Sequence, residues 1–218
     1  MYCPALPLVR SKTYFPDSSA TSVLLGYIYS RNGEIRRAIK ELEAFRRDHD
    51  PTPDIYVNLG FWYAAIDDLE KSFEVSIEGA KRFPHSVRIL NNLAYFYAMT
   101  DRLDEARATL KTIPKDYVPH TELIATKGLL KLREGDERGG RELYEEAERC
   151  ASEVAGKDLA RRVRQKKHLE LARYWMRRSA FERARLELRL GLDVKVKYFS
   201  YRDELTRLAG ELEAASSS

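Results

Sequence analysis

The sequence predicts an all-α fold, a solenoid of about five stacked helical hairpins closed by a C-terminal capping helix. Three observations carry this reading. The dipeptides Leu25-Gly26, Leu59-Gly60, Leu93-Ala94, Lys127-Gly128 and Leu171-Ala172 open similar segments spaced by 34, 34, 34 and 44 residues, and a fixed period of roughly 20–50 residues marks a repeat architecture. With repeats numbered from residues 19, 53, 87, 121 and 165, position 8 holds Gly26, Gly60, Ala94, Gly128 and Ala172. Position 20 holds Ala38, Ser72, Ala106, Gly140 and Ala184. Gly, Ala and Ser make up 47 of 218 residues, so ten small residues at these places is a coincidence of roughly one in a few million. Finally, positions 4, 7, 8 and 11 fall on one face at helical spacing. A small residue on each helix of a hairpin lets the two backbones approach where they cross.

The elements follow in order. Residues 1–18 contain Pro4, Pro7 and Pro16 and form an arm, since proline inside a helix removes a hydrogen bond and clashes with the preceding turn. Four repeats follow at 19–52, 53–86, 87–120 and 121–154. Turns are expected at Arg31-Asn32-Gly33 and Arg133-Glu134-Gly135-Asp136, and Pro51, Pro84 and Pro119 punctuate repeat ends. Large residues surround the crossings: Tyr29, Tyr63, Tyr97 and Trp175 at position 11, and Ile35, Leu69, Leu103 and Phe181 at position 17. Residues 155–164 are an insertion. Gly156 is expected to end one helix and Asp158 to cap the next, extending the first helix of the fifth repeat (165–198) to about Arg178. In 199–218, Ser200 with Asp203 resembles a capping box. Tyr201, Leu205, Leu208 and Leu212 make an apolar stripe for a final helix, followed by a serine tail.

Over about residues 19–198 this pattern resembles the tetratricopeptide repeat family, whose signature runs W-x2-L-G-x2-Y, then Ala, then Pro. Repeats two and three match best; repeat four departs at Lys127 and Lys131. The resemblance implies a right-handed α-solenoid whose first helices line a concave, peptide-binding groove. At about 100° per residue, positions 2, 6, 9 and 13 face away from the hairpin core. The groove residues expected there are Tyr27, Phe61, Tyr95, Leu129 and Arg173 at position 9, Asn58 and Asn92 at position 6, and Met99, Arg133 and Arg177 at position 13. Packing against the neighbouring repeat is the competing role for the aromatic residues. The paired asparagines resemble the backbone-reading contacts of peptide-binding members, because an amide both donates and accepts. The family's carboxylate clamp is not matched: its five places hold Val23, Tyr27, Asn58, Arg88 and Asn92.

Composition and charge narrow the function. The chain is 44% hydrophobic and 33% charged, which excludes a largely disordered protein. No apolar run reaches the length of a membrane helix, and Cys3 and Cys150 lack metal-site or disulfide-framework spacing; a cytoplasmic protein is expected. Nucleotide-binding, hydrolase, zinc-protease and EF-hand motifs are all missing, so no catalytic residue, metal or cofactor is expected. The four histidines are read as surface loop residues. Residues 1–156 carry 22 Lys and Arg against 25 Asp and Glu, whereas 157–207 carry 16 against 7. The function read from the sequence is therefore a noncatalytic adaptor or regulatory module. Its groove is expected to take an extended or helical segment of another protein, with apolar and acidic residues. The alternatives are a nucleic-acid-associated protein using the basic third, and the interaction module of a larger enzyme. A homo-oligomer is compatible with all three.

Overall fold

The computed structural model describes residues 17–114, 117, 120–197 and 199–216; the N-terminal arm with Tyr2, Leu6, Leu8 and Val9 lies outside the described residues. Among them there are eleven helices and no strand: α1 (Ser19–Arg31), α2 (Ile35–Asp48), α3 (Pro53–Ala65), α4 (Leu69–Arg82), α5 (Val87–Met99), α6 (Leu103–Lys111), α7 (Thr121–Glu134), α8 (Glu137–Val154), α9 (Lys157–Met176), α10 (Phe181–Asp193) and α11 (Arg202–Ser216). The chain divides into two compact units. One runs to Phe96 and adds 109–113; the other comprises 97–108 and the chain from Pro114 onward.

Every hairpin turns in the same way. Position 15 has positive φ in all five repeats: Gly33 (84°), Asp67 (64°), Asp101 (57°), Gly135 (97°) and Ser179 (54°). The next residue's N–H donates to the carbonyl of position 11, as Glu34 to Tyr29, Asp68 to Tyr63, Arg102 to Tyr97, Asp136 to Lys131 and Ala180 to Trp175. This is the left-handed helix stop, which satisfies carbonyls left open at the helix end. Glycine takes that conformation without strain at 33 and 135, whereas Asp and Ser hold it because the closing hydrogen bonds offset the steric cost.

The crossings predicted at positions 8 and 20 are seen in the second and fourth repeats. Ser72 Oγ donates to Gly60 O at 2.8 Å, and a Cβ added to Gly140 would lie 3.1 Å from Gly128 O. Around them the first unit's core gathers Leu25, Leu42, Phe45, Ile55, Tyr56, Leu59 and Trp62. In the second unit Leu169, Ala172, Ala184 and Leu188 are covered by Leu205, Leu208 and Leu212 of α11, the expected apolar stripe. A Cβ on Gly60 would meet Asn92 Nδ2 and Ser76 Oγ at 3.1 Å, and Ala106 is fully buried. Gly60→Leu and Ala106→Leu are therefore each expected to cost about 1–3 kcal/mol by overpacking. A thermal melt of Ala106→Leu that matches the parent would remove position 20 from the crossing.

Two local expectations are corrected. Helix α9 starts at Lys157 with Gly156 as its N-cap, and Asp158 does not cap it: its carboxylate accepts the Lys197 N–H at 2.9 Å. Ser200 closes no capping box with Asp203. Its hydroxyl accepts from the Arg202 N–H at 3.1 Å and donates to Gln165 at 3.0 Å, tying the start of α11 to α9.

Candidate functional site

In the first unit the outward positions of α1 and α3 carry apolar side chains in solvent. Leu24 is 48% exposed, Tyr27 45% and Phe61 37%, directed away from the faces that bury Leu25, Tyr29, Leu59 and Trp62. Tyr95 of α5 is half-buried. The Arg31 guanidinium lies 5.7 Å from the Tyr27 ring centroid, so the strip carries a cation at the C-terminal end of α1.

The two asparagines are placed on this strip, and each uses an amide N–H internally. Asn58 Nδ2 donates to Asp54 O one turn back at 2.7 Å, and Asn92 Nδ2 donates to Val57 O at 3.0 Å, fastening α5 to α3. Beyond that one bond each amide has its acceptor oxygen and a second N–H, the donor-acceptor pair an extended backbone would need.

The second unit departs from the sequence expectation. Leu129 is 0% exposed and belongs to the core, not to a groove. Helix α9, 20 residues long, packs on both α7 and α8, and the face of α7 that repeat geometry directs outward is covered. Thr126 is buried for the same reason. Arg133 is likewise enclosed, its guanidinium 3.1 Å from Asp101, 3.8 Å from Glu170 and 3.8 Å from Met99 Sδ.

Glu170, at position 6 of the fifth repeat, is the centre of this arrangement. Its carboxylate meets Lys166 Nζ at 2.9 Å and Arg173 at 2.7 Å, with Arg133 as a third cation. Arg173 continues to Glu204 of α11 at 3.0 Å, and Arg177 lies 3.8 Å from Asp101. Burial raises the Glu170 pKa, but Lys166, Arg173 and Arg133 together outweigh it and hold the carboxyl down at about 2. The basic residues assigned to an acidic ligand, Arg133, Arg173 and Arg177, thus face internal acids. Lys166 and Lys167 are themselves buried.

Two further side chains escaped sequence reading. His168 is buried, not in a surface loop, and its Nδ1 lies 2.6 Å from Glu187, which Arg141 also meets at 2.9 Å. Burial pushes the Glu187 carboxyl up, but His168 and Arg141 outweigh it and hold it below its ordinary value. Gln165 is fully buried. It donates to the Val194 carbonyl at 3.2 Å and accepts the Tyr201 N–H at 2.7 Å, so one amide anchors the whole α10–α11 connection. An i,i+4 charge pattern marks Lys166 and Glu170 as a pair, but nothing in one helix's sequence signals that the pair is enclosed.

The same turn five times, small residues at each described crossing and an apolar core of interdigitated hairpins define a helical-hairpin repeat protein. Residues 64–129 match the family model of the tetratricopeptide repeat, and the chain has the fold of tetratricopeptide repeat proteins. A search of the curated proteins finds no match. Among solved structures, a chain of the APC/C hetero-tetramer Cut9-Hcn1 is similar at a TM-score of 0.67 and 12% identity over 86% of this chain, which spans 36% of that chain. A tetratricopeptide repeat protein of Parabacteroides merdae is similar at 0.60 and 13%, covering 96% of this chain and 91% of its own. A thermophilic tetratricopeptide repeat protein of Thermus thermophilus is similar at 0.58 and 14%, covering 88% and 99%. The shared property is the fold, one that generally serves noncatalytic protein–protein interaction. No helix among the described residues is long and apolar enough to cross a membrane.

Proposed function

We propose that the protein is a noncatalytic adaptor that holds an apolar segment of a partner protein on the outward strip of α1, α3 and α5. The observation that carries this is the exposure of Leu24, Tyr27 and Phe61, aligned by the repeat on a face that hairpin packing leaves uncovered. A strip of this kind is a surface that folded proteins seldom leave without use. Asn58, Asn92 and Tyr95 flank it, offering amide oxygens to a partner's backbone N–H groups. The similar chain of the Cut9-Hcn1 hetero-tetramer is part of a protein assembly, and the proposal extends that type of role to this chain. A reducing, cytoplasmic setting fits the thiol of Cys150, which is free of any disulfide.

The test is a selection of peptides from a random display library on the full chain. Selected peptides are expected to be rich in large apolar residues and to lose at least about tenfold in affinity to Tyr27→Ala/Phe61→Ala, since a few buried aromatic anchors dominate such interfaces. Helical content should stay at the parent value, because both rings lie outside the core. Equal affinity for parent and variant would sink the proposal, and so would unfolding of the variant.

A further inference from the structure

Helix α10 buries one face and leaves the opposite one apolar at its centre. Ala184, Leu188 and Gly191 are buried, with Leu205 of α11 and His168 of α9 against Gly191. At about 100° per residue the line through Leu186 lies opposite them, and Glu182, Arg183, Arg189, Leu190 and Asp193 fall within about 60° of it. All six are exposed. Leu186 is 45% exposed and Leu190, one turn on, 40%. The two form an apolar patch in solvent on a face that no helix among the described residues covers.

The charges around this patch are only partly used within the fold. Glu182 is paired with Arg185. The Arg183 guanidinium rests 4.5 Å from the Trp175 ring centroid, which positions it without neutralising it. Among the described residues Arg183, Arg189 and Asp193 enter no ion pair. The remaining pattern is complementary to itself. When two copies of α10 lie antiparallel with Leu186 opposite Leu190, the same register sets Arg183 opposite Asp193, since each pair is centred on position 188. A two-fold contact makes each pairing twice. Each half then joins Glu182 and Arg183 of one copy to Arg189 and Asp193 of the other, two cations with two anions. A parallel pair would instead set Arg183 on Arg183 and Asp193 on Asp193, and charge pairing of this kind selects the orientation of packed helices.

We propose that this face of α10 is a self-association surface, on which a second copy of the chain docks antiparallel through Leu186 and Leu190 and is held in register by Arg183 and Asp193. It involves none of the residues of the α1–α3–α5 strip and does not depend on that reading. A contact between two 13-residue helices is smaller than the roughly 1,200–2,000 Å² of a standard stable interface. The dimer therefore belongs to the weak, concentration-dependent class, with half-association on the order of 100 µM.

The experiment is sedimentation equilibrium of the full chain at low salt, from about 10 µM to about 1 mM. A reversible monomer–dimer equilibrium is expected, with no larger species, because a two-fold contact closes on itself. Leu186→Gln/Leu190→Gln should stay monomeric and keep the parent's helical content, since neither side chain lies in the core. Arg183→Asp and Asp193→Arg each set like charges together at both ends and should weaken the dimer about tenfold or more. Mixed in equal amounts, these two variants regain an opposite-charge pair at both ends, and the mixture should return to about the parent's affinity. Tyr27→Ala/Phe61→Ala should associate as the parent does. A parent that stays monomeric to about 1 mM would overturn the proposal and leave the face to another occupant. Unchanged association of the glutamine variant would overturn it too, as would loss of the dimer in the strip variant or a charge mixture no tighter than its components. If the glutamine variant loses helical content, the charge mixture decides alone.

Discussion

Replacing Glu170 by Gln is expected to destabilise the protein by about 3–5 kcal/mol, because it removes the carboxylate that Lys166, Arg173 and Arg133 share. The side chains of Lys166, Arg133 and Arg173 are 9%, 6% and 19% exposed, so water does not replace the lost carboxylate. At roughly 2–4 °C per kcal/mol for a chain of this size, calorimetry should register a fall of roughly 6–20 °C. The Glu170→Gln/Lys166→Met pair should recover part of the loss, since an ion pair exchanged for apolar contact is often neutral. The sign of the pH dependence follows from the depressed pKa. The folded carboxyl titrates at about 2 against an ordinary 4.5, so its contribution is complete above the ordinary value and is lost as pH falls from 4.5 through 2, worth roughly 3 kcal/mol in all. The parent should therefore lose stability over that range through a component that Glu170→Gln lacks, and the gap between the two melts should narrow on acidification. A gap independent of pH between about 5 and about 2.5 would mean that the carboxylate charge is not what holds α7, α9 and α11 together.

Trp62→Ala should cost a similar amount, about 3–5 kcal/mol. Trp62 is the largest fully buried side chain, and it does more than fill volume: a Cβ placed on Gly26 would come within 2.7 Å of its ring. The indole of the second repeat thus packs directly on the position 8 glycine of the first. Gly26→Leu in the parent should overpack against that ring, whereas in the Trp62→Ala background the new side chain enters the vacated space. The two changes should be non-additive in a double-mutant cycle, with the pair less damaging than the sum. Additive losses would show that Gly26 and Trp62 do not share a contact.

The repeat itself was legible because each hairpin crossing imposes the same local demand every 34 residues. Gly60 and Ser72, or Gly128 and Gly140, are small for a reason that acts between neighbours in sequence. The aromatic strip was legible on the same grounds, since Tyr27 and Phe61 occupy one position of a period already established. The turn was legible only in part. Gly33 and Gly135 announce positive φ, but Asp67, Asp101 and Ser179 do not, because their conformation is set by the hydrogen bond to position 11 and not by the residue type.

The sequence by itself thus determined the fold class, the register of the hairpins and the outward positions of α1 and α3, all of which follow from periodicity within one or two helices. Tertiary structure alone decided which charges are available. Spacing along the chain places Arg173 on the groove face, yet α9 carries Lys166, Glu170 and Arg173 against α7 and α11, where Arg133 and Glu204 complete the pairing from 37 and 34 residues away from Glu170. The same packing buries Leu129 and leaves Arg161, Lys195 and Lys197 in solvent. Whether a cation is used inside the fold or offered to a partner depends on what packs over it, and that is a property of helices distant in sequence, to which no local spacing responds.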